Sequence, residues 1–567
     1  MPRARRPLER KLRFGIMCSG VEVPAWQARC IRTLVESGHA EPALLIFNET
    51  PEPVLTRWQK LWRRVRRRDV TWTLFQRLFV VRRARATRRE DLSDLLWDVP
   101  QIGCVVERRG KWSEYFSAED VASIRGHGLD FILRFEFGII RGEVLEAARY
   151  GVWSFHHDDE QRYRGGPPSF WEIYDGEPIT GSVLQRLTER LDGGVVLHKG
   201  WFRTIDHSYA RNRDQSYFGG ADWPARVCAD IRNGIAEYVD AEPTTSEARI
   251  YRNPRMMQTI LFGLHVCVNF IANQLTGLFR ADVWNVGLVH APIESFLDTG
   301  VTEKVRWMPE ARGPRYLADP FGAERDGRLH VVVEDYDYRA RRGHIRALRD
   351  VGPYGGYTGP LPAVDTGVHA SYPYLFEYRG EWFCVPETHE ARQILLYRAL
   401  DFPETWEGVA AIIPDVAALD PTVLFHEGRW WLFATDRERG QNSHLYAWHA
   451  TRLAGRWTPH AQNPIKTDVR SARPAGTPFV HEGALYRPAQ DNAGTYGGAV
   501  VINRVDVLTP TEFREEVVRV IRPYARPYDA GMHTLSSAGD ITLVDGKRRK
   551  FIWPAFKTEL LARLRRR

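Results

Sequence analysis

The chain has 567 residues, which is too long for a single hydrophobic core, so two to four domains are expected. Its 43% hydrophobic and 26% charged residues are typical of globular proteins. The formal net charge of +8 comes from local arginine runs, and no basic stripe follows the whole chain. The composition therefore argues against nucleic acid and favours anionic lipid headgroups or phosphorylated substrates as partners.

The cysteines and the start of the chain indicate a reducing compartment. The six cysteines are scattered, with no CxxC pair and no metal-ligand spacing, so we expect small core residues and no metal site. Residues 1–17 are basic but lack an apolar stretch, so no signal peptide is visible. The sequence therefore predicts a cytoplasmic protein. Its 19 tryptophans leave two interpretations open, which are sugar stacking and the filling of β-rich cores.

The first two hundred residues follow the pattern of an open α/β sheet. A buried strand at 12–17, a helix at 25–37 and a strand at 43–47 have the spacing of a parallel sheet. The turn after the first strand lacks GxGxxG, so a dinucleotide site is not expected. Further strands are predicted at 131–135, 152–155, 183–187 and 195–197, and a helix at 225–238.

Two segments raise the question of a membrane surface. Residues 58–89 place apolar side chains at helical spacing among many arginines. Such a pattern is typical either of a helix on an anionic membrane or of a helix packed on its own domain with a solvated basic face. Residues 256–279 contain no charged side chain, but polar residues such as His265 and Asn269 make a spanning helix costly. A buried amphipathic helix is therefore expected there.

From residue 315 onward the sequence is repetitive, with aromatic strands and glycine turns. Four segments align without gaps, namely GRLHVVVED at 327–335, GEWFCVPET at 380–388, GRWWLFATD at 428–436 and GALYRPAQD at 483–491. A fifth unit fits 533–553. Five repeats of three or four antiparallel strands predict a five-bladed β-propeller.

The predicted organisation is multidomain, with an N-terminal Rossmann-like α/β domain and a C-terminal five-bladed propeller. The α/β domain is assigned to 1–225, with a basic helical insert at 50–95. A helical connector is assigned to 226–310 and the propeller to 311–560.

The segment 151–197 contains the candidate chemical groups of the α/β domain. A strand delivers Ser154 and His156 to its C-terminal end, which is where open α/β sheets place ligands. A helix follows and then the sequence LDGG, which places Asp192 in a tight loop at the same edge. An aspartate beside an imidazole can orient it and stabilise its cationic form, so this pair suits acid–base chemistry.

This segment resembles the active site of the methionyl-tRNA formyltransferase and sugar N-formyltransferase family. The family pattern reads approximately NxHxSLLPxxRG, then a helix, TG and LDTG. This chain has SFHHDDEQRYRG, WEIYDGEP, Thr180-Gly181 and LDGG in the same order. Upstream, DFILRFEFGIIRGEVLEAARYGVW at 130–153 is similar to the family's strand, cofactor loop and helix. The resemblance covers residues 10–205 and implies the formyltransferase fold.

The resemblance implies transfer of a formyl group from N10-formyltetrahydrofolate to an amine. His156 falls on the family's catalytic histidine, which stabilises the oxyanion, and Asp192 on the aspartate that orients it and helps to take the amine proton. Ser154 replaces the family's catalytic Asn, and His157 is a candidate for the missing donor. The folate would lie against the loop formed by Arg134, Phe135, Glu136, Phe137, Gly138, Ile139 and Ile140.

The SLLP part of the family pattern is replaced here by the acidic loop 158–161. An acidic loop could attract an amine cation, or it could prevent folate from binding. The first outcome supports formyl transfer, whereas the second leaves the fold without that reaction.

The repeat region resembles the N-terminal propeller of plant glucosamine inositolphosphorylceramide transferases through SYPYLFEYRGEWFCVPET at 371–388. It is also similar to arabinanase-like glycoside hydrolases, in which carboxylates of the innermost strands line a central pocket. Paired carboxylates could hydrolyse a glycosidic bond, and a sugar-binding or purely structural propeller is the alternative. The pocket candidates are Asp319, Glu334, Glu387, Asp420, Asp436 and His533.

Three hypotheses follow from these patterns. The first is a formyltransferase acting on an amino sugar in polysaccharide or glycolipid synthesis. The second is a glycosidase or glycosyl-transfer enzyme that uses the propeller carboxylates. The third is a glycan-binding protein with a degenerate formyltransferase domain, which Ser154 favours, whereas His156 and Asp192 favour the first. The expected partners are a small-molecule or glycan substrate and the anionic inner face of a membrane, with no nucleic acid.

Overall fold

The computed structural model describes residues 7–51, 70–110, 112–298, 304–524 and 526–565. It divides into two compact units, Met1–Phe270 and Ile271–Arg567. Part of the predicted basic insert, residues 52–69, lies outside the described residues.

The N-terminal unit is built on a seven-stranded sheet. Its order is β7-β6-β5-β4-β1-β2-β3, in which β1 to β5 are parallel and β6 and β7 are antiparallel. The five parallel strands have the order 3-2-1-4-5, which confirms the predicted Rossmann-like sheet. The strands are β1 (Leu12–Cys18), β2 (Ala40–Asn48), β3 (Gln101–Cys104), β4 (Phe131–Arg134), β5 (Val152–His156), β6 (Ile179–Arg186) and β7 (Val195–Arg203).

The helices of this unit are α1 (Ala25–Glu36), α2 (Val70–Phe75), α3 (Ser93–Leu96), α4 (Ala118–Gly126), α5 (Trp171–Asp175), α6 (Tyr209–Gly219), α7 (Trp223–Asn233) and α8 (Met256–Phe279), which continues into the second unit. Alternate strand residues point to opposite faces of the sheet. Apolar residues of α1 and α7 pack on one face, and those of α4 pack on the other. The carboxyl ends of the parallel strands are left for the candidate site.

The helix α8 differs from the prediction of a buried amphipathic helix. Among its residues only Thr259 and Phe262 are buried, and one apolar side is exposed to solvent. By length and composition alone, α8 is long and apolar enough to cross a membrane. In its most apolar stretch of 18 residues, 11% of the residues are buried. Cys267 on this helix is also exposed, whereas the other five cysteines are buried as predicted.

The C-terminal unit contains five antiparallel sheets among its described residues. Sheet 1 comprises Arg315–Arg325, Arg328–Asp337, Arg342–Val351 and Thr358–Pro362. Sheet 2 comprises Ser371–Tyr378, Glu381–Glu387, Gln393–Asp401 and Thr405–Pro414. Sheet 3 comprises Ala418–His426, Arg429–Asp436, His444–Ala450, Thr458–Pro459 and Lys466–Thr467. Sheet 4 comprises Phe479–His481, Ala484–Asp491, Ala499–Leu508 and Phe513–Ile521. Sheet 5 comprises Arg306–Trp307, Ala281–Val289, Ile541–Lys550 and Leu535–Ala538, and helix α9 (Trp553–Arg565) follows.

The predicted helical connector at 226–310 is not a separate region. At its start, α7 belongs to the core of the N-terminal unit. At its end, Ala281–Val289 is the central partner of Ile541–Lys550 in sheet 5. The sequence did not reveal this pairing because the two strands lie about 250 residues apart and only one of them resembles the repeat.

Candidate active site

The structure brings His156 and Asp192 together at the carboxyl edge of the parallel sheet. His156 is the last residue of β5, and Asp192 lies in the loop between β6 and β7. The His156 Nδ1 atom is 3.6 Å from Asp192 Oδ1, and both side chains are largely buried. At this distance the two groups face one another without a direct hydrogen bond.

The main-chain carbonyl of Tyr163 holds the His156 ring. His156 Nε2 lies 2.8 Å from this carbonyl, which can only accept a hydrogen bond. Nε2 therefore carries a hydrogen, and Nδ1 is the atom directed toward Asp192. This corrects the prediction that Asp192 orients the imidazole, because Tyr163 does so and Asp192 provides a nearby negative charge.

The loop that carries Asp192 is fixed by two residues that the sequence prediction missed. The Arg164 guanidinium donates to the Leu191 carbonyl at 2.5 Å, and the Gly165 amide donates to Asp192 Oδ2 at 2.8 Å. Asp192 has a φ of 49°, in the left-handed region that Asp tolerates better than most residues. The signal was present in the sequence, since Arg164-Gly165 occupies the RG of the family pattern.

Ser154 lies on the same face of β5 as His156, two residues earlier. Its hydroxyl accepts a 2.8 Å hydrogen bond from Arg134 at the end of β4. The same guanidinium donates to the carbonyls of Phe137 and Gly138 at 3.1 and 2.7 Å. Arg134 therefore fixes the conformation of the candidate folate loop. It also places a positive charge beside Ser154, which replaces the family's Asn.

The rest of the candidate loop, from Phe135 to Ile140, is anchored by its main chain. The amides of Phe135 and Glu136 donate to the Met17 carbonyl of β1, and the Gly138 amide donates to Glu114. Ile139–Arg141 pairs with the short strand Ser113–Tyr115. Residues 134–139 remain half-buried, so the loop presents a fixed and accessible edge beside Ser154.

The structure places His157 away from the candidate pair, which corrects its assignment as a substitute donor. Its ring contacts Trp26 and Tyr217, with ring centroids 5.0 and 4.0 Å apart, and Nδ1 lies 3.2 Å from Ser182 Oγ. Burial lowers the pKa of His157 to about 3, and the neighbouring His156 adds to this effect. His157 is therefore a neutral member of an aromatic cluster, and its side chain points to the opposite side of the main chain from that of His156.

The acidic loop 158–161 is partly neutralised within the N-terminal unit. Lys199 of β7 forms ion pairs with Asp159 and Glu160, at 2.5 and 2.9 Å. Asp158 is directed elsewhere and accepts a 2.6 Å hydrogen bond from the Ser169 amide. Lys199 therefore compensates one of the two charges of Asp159 and Glu160.

Asp158 and Glu172 form a buried pair of carboxyl groups. Burial raises the pKa of both carboxyl groups, to about 8 for Glu172, and the charge of Glu172 further raises the pKa of Asp158. In the unfolded chain Glu172 titrates near its ordinary value, so the folded protein holds a proton that the unfolded chain releases. The pair should therefore lose stability as the pH rises from about 4.5 toward 8.

We expect Glu172→Gln to remove most of this pH dependence. The amide keeps the shape and needs no proton, so the variant should gain stability relative to wild type as the pH rises, by at most about 1.4 kcal/mol per pH unit. Urea unfolding at pH 5 and pH 8 measures the difference, with the exposed Glu36→Gln as control. An equal difference in unfolding free energy between wild type and Glu172→Gln at the two pH values would refute the raised pKa of Glu172.

In the C-terminal unit, four of the predicted pocket residues belong to one buried network. Arg473 donates to Asp420 at 2.5 Å and lies 3.5 Å from Glu387. His533 lies 3.5 Å from Asp319 and 2.6 Å from Asp545, which the sequence prediction missed. Asp319, Glu387, Asp420 and His533 are each less than 10% exposed. In this network Arg473 and His533 face four carboxyl groups, so their charges offset only part of the negative charge.

Similar β-bulges in three of the sheets interrupt the regular alternation of side chains, and two of them contain Asp319 and Asp420. The strand register shifts around Asp319-Pro320 in sheet 1, Tyr372-Pro373 in sheet 2 and Asp420-Pro421 in sheet 3. The residue before each proline has a positive φ between 42° and 50°. Bulges redirect side chains in this way. The dipeptide at each bulge, Asp-Pro or Tyr-Pro, recurs in the sequence and could have indicated the bulges.

The carboxyl groups of this network have opposite pKa shifts. Burial, together with Asp319 and Glu387, raises the pKa of Glu334 well above its ordinary value. Burial raises the pKa of Glu387, but hydrogen bonding from His389 and the charge of Arg473 outweigh it and lower the pKa to about 2. Burial raises the pKa of Asp420 to about 7 against the opposing charge of Arg473. Asp436 takes no part in these contacts and accepts a 2.8 Å hydrogen bond from the Glu438 amide.

Two groups of side chains in this unit have metal-ligand types, namely His369, Glu387 and His389, and Asp319, His533 and Asp545. His369 Nδ1 accepts a hydrogen bond from the Gly343 amide at 2.9 Å, which places the hydrogen on Nε2 and leaves this ring without a free lone pair for a metal. Burial lowers the pKa of His533, but the Asp545 and Asp319 carboxylates outweigh it and raise the pKa above its ordinary value.

Regions of the two units are similar to two different groups of known proteins. A family model for the N-terminal part of glucosamine inositolphosphorylceramide transferase 1 matches residues 307–526. The C-terminal region matches this family. Glucosamine inositolphosphorylceramide transferase 1 of Arabidopsis thaliana is 33% identical over 253 residues, which are 41% of this chain and 32% of the plant protein.

The N-terminal region is similar to methionyl-tRNA formyltransferases, which confirms the resemblance predicted for residues 10–205. The enzyme of Phenylobacterium zucineum is 34% identical over 137 residues, which are 24% of this chain and 44% of that protein. The chain thus spans about a third of its plant relatives and less than half of these formyltransferases. Among solved structures, a thermostable family-43 glycoside hydrolase is 16% identical with a TM-score of 0.32, over 40% of this chain and 84% of that one.

Proposed function

We propose that the N-terminal unit transfers a formyl group to an amine, with His156 and Asp192 as its catalytic residues. The observation that supports this most is the pair's geometry, in which His156 Nδ1 faces Asp192 Oδ1 across 3.6 Å at the carboxyl edge of the sheet. The gap is wide enough to prevent a direct bond and narrow enough for both atoms to contact one reacting centre. The similarity to methionyl-tRNA formyltransferases agrees with this reaction.

The residues at this edge fit N10-formyltetrahydrofolate as the donor. The loop from Arg134 to Ile140 is half-buried and internally fixed, so it can receive a flat ring system without first becoming ordered. Arg134 Nε is buried and has no hydrogen-bond partner among the described residues, which leaves one N–H for an acceptor on a bound molecule. The donor supplies an activated formyl carbon attached to nitrogen.

The protein's own groups would then manage two protons. Protonated His156 presents Nδ1–H to the formyl oxygen and stabilises negative charge there, while the nearby Asp192 carboxylate stabilises the imidazolium. Asp192 Oδ1 accepts the proton that the attacking amine loses, since Oδ2 is occupied by the Gly165 amide. Ser154 and Arg134 supply a second donor in place of the family's Asn. Asp192 would pass this proton on to the nitrogen whose bond to the formyl carbon breaks, so that one carbon–nitrogen bond forms, one breaks and no net proton is gained or lost.

We further propose that the acceptor is an amino sugar of a glycolipid or polysaccharide, and that the five sheets of the C-terminal unit are the five blades of a propeller that holds the glycan. The support is the family of the C-terminal region, whose name includes glucosamine and inositolphosphorylceramide. Pairing of Ala281–Val289 with Ile541–Lys550 joins the two ends of this unit in one sheet, as closure of a propeller requires.

Donor binding tests the proposal before any acceptor is known. Calorimetry of the full chain with 5-formyltetrahydrofolate, a stable isomer of the donor, should show saturable binding. Arg134→Met should weaken it by about tenfold or more, because a charged hydrogen-bonding group of the loop is lost. Arg125→Met, which removes an exposed arginine paired with Glu143, is the control. Absence of binding to the wild-type chain would contradict the donor assignment.

A further inference from the structure

The N-terminal unit carries an apolar surface that its own fold leaves open. On α8, the side chains of Met257, Ile260, Leu261, Leu264 and Val268 are between 39% and 61% exposed. They recur at helical spacing and so form one stripe along a single side of the helix. The opposite side is attached to the unit through Thr259 and Phe262, which are buried.

A second segment with exposed apolar residues lies next to this stripe. Trp72 and Phe75 of α2 pack against Phe262, with ring centroids 6.1 and 5.6 Å apart. On the outer side of the same segment, side chains of residues 70–81 are between 48% and 64% exposed, namely Val70, Leu74, Leu78, Phe79 and Val81. Exposed apolar residues that cluster in this way mark an interaction site more often than isolated ones do.

Within residues 70–89 the charged side chains all have one sign. Residues 70–89 contain no Asp or Glu, and their arginines are all exposed, namely Arg77, Arg82, Arg83, Arg85, Arg88 and Arg89. The helix α8 has no charged residue, and Arg252 and Arg255 precede it. An apolar stripe bordered by arginines complements a membrane that exposes acyl chains beneath anionic headgroups.

We propose that α8 and the segment 70–81 form the membrane-binding surface of this protein and lie in the interface of an anionic bilayer. The helix lies flat on the bilayer and does not cross it, because one side is tied to the folded unit by Phe262 while the other side is free. From Met257 to Val268 the stripe extends about 17 Å, so it contacts lipid over about three turns of the helix. A site held at a lipid surface suits an acceptor that is itself a lipid, although this proposal does not depend on the reaction.

Vesicle sedimentation of the full chain tests the proposal. We expect binding to phosphatidylcholine vesicles with about 30% phosphatidylserine, and much weaker binding to phosphatidylcholine alone. The double variant Leu264→Glu/Val268→Glu should lower the partition coefficient by at least about tenfold, because two apolar contacts with lipid are replaced by charges. Val480→Glu, at a similarly exposed apolar residue of the C-terminal unit, should bind like wild type.

The second arm replaces charge and leaves the apolar stripe intact. Arg82→Glu/Arg83→Glu should reduce binding to anionic vesicles, and added salt should reduce wild-type binding in the same way. Equal partitioning of wild type and Leu264→Glu/Val268→Glu would overturn the proposal. A wild-type dimer in lipid-free solution that the same variant converts to monomer would overturn it as well, since a second copy would then cover the surface.

Discussion

Replacement of His156 by alanine is expected to lower the rate of formyl transfer by about 10² to 10⁴-fold. The ring supplies the only imidazole facing Asp192 among the described residues, and the Tyr163 carbonyl fixes which nitrogen points there. His157 cannot take over the role, because its ring is packed between Trp26 and Tyr217. The rate constant at saturating donor and amine is the quantity to compare.

The control for this variant is a second histidine–aspartate pair of the same unit. His207 lies 3.3 Å from Asp206 at the surface, with the two side chains 22% and 55% exposed. His207→Ala removes the same atoms without touching the candidate site and should keep the wild-type rate. Circular dichroism distinguishes lost catalysis from lost folding in both variants. Wild-type transfer by a folded His156→Ala protein would exclude this histidine from the mechanism.

Replacement of Arg473 by methionine should destabilise the C-terminal unit by about 3–5 kcal/mol, the usual cost of removing one partner of a buried ion pair. Arg473 is buried, and its guanidinium compensates both Asp420 and Glu387. Without it, two carboxyl groups remain in a medium that disfavours their charge. The free energy of unfolding from urea titration of the full chain measures the loss.

An exposed ion pair in the same unit provides the comparison. Arg392 pairs with Glu438, and the two side chains are 51% and 57% exposed. Arg392→Met should therefore cost no more than about 1 kcal/mol. Adding Asp420→Asn to Arg473→Met should recover part of the larger loss, because it removes one of the two unpaired charges. Equal effects of Arg473→Met and Arg392→Met would show that the buried network does not hold the unit together.

The sequence predicted the parts of the candidate site that depend on local order. The strand that ends at His156 and the tight loop at Asp192 are each encoded within a few residues, so their meeting at one sheet edge could be predicted from the parallel topology. The details that it missed depend on three-dimensional packing. Nothing local shows that the Tyr163 carbonyl rather than Asp192 orients the ring, or that His157 turns into an aromatic cluster.

The same distinction explains the differences in the fold. The repeats of the C-terminal unit could be recognised because each is a contiguous set of strands, whereas Ala281–Val289 pairs with a strand at the other end of that unit. For α8, the sequence analysis compared a helix that spans a membrane with a helix that is buried in the protein. The polar residues of α8 argued against spanning, so burial was predicted. The structure shows a third arrangement, in which one side of the helix is anchored by Phe262 and the other is exposed. Composition alone does not distinguish these arrangements.

The most direct measurement of the central claim is transfer of a labelled formyl group by the intact protein. Wild-type chain would be incubated with N10-formyltetrahydrofolate labelled in the formyl carbon and with a panel of amino sugars and other amines. We expect acid-stable label in an N-formyl product, and none with Asp192→Asn. No labelled amide from any amine in the panel, with a wild-type protein shown to bind the folate, would contradict the assignment of His156 and Asp192 to formyl transfer.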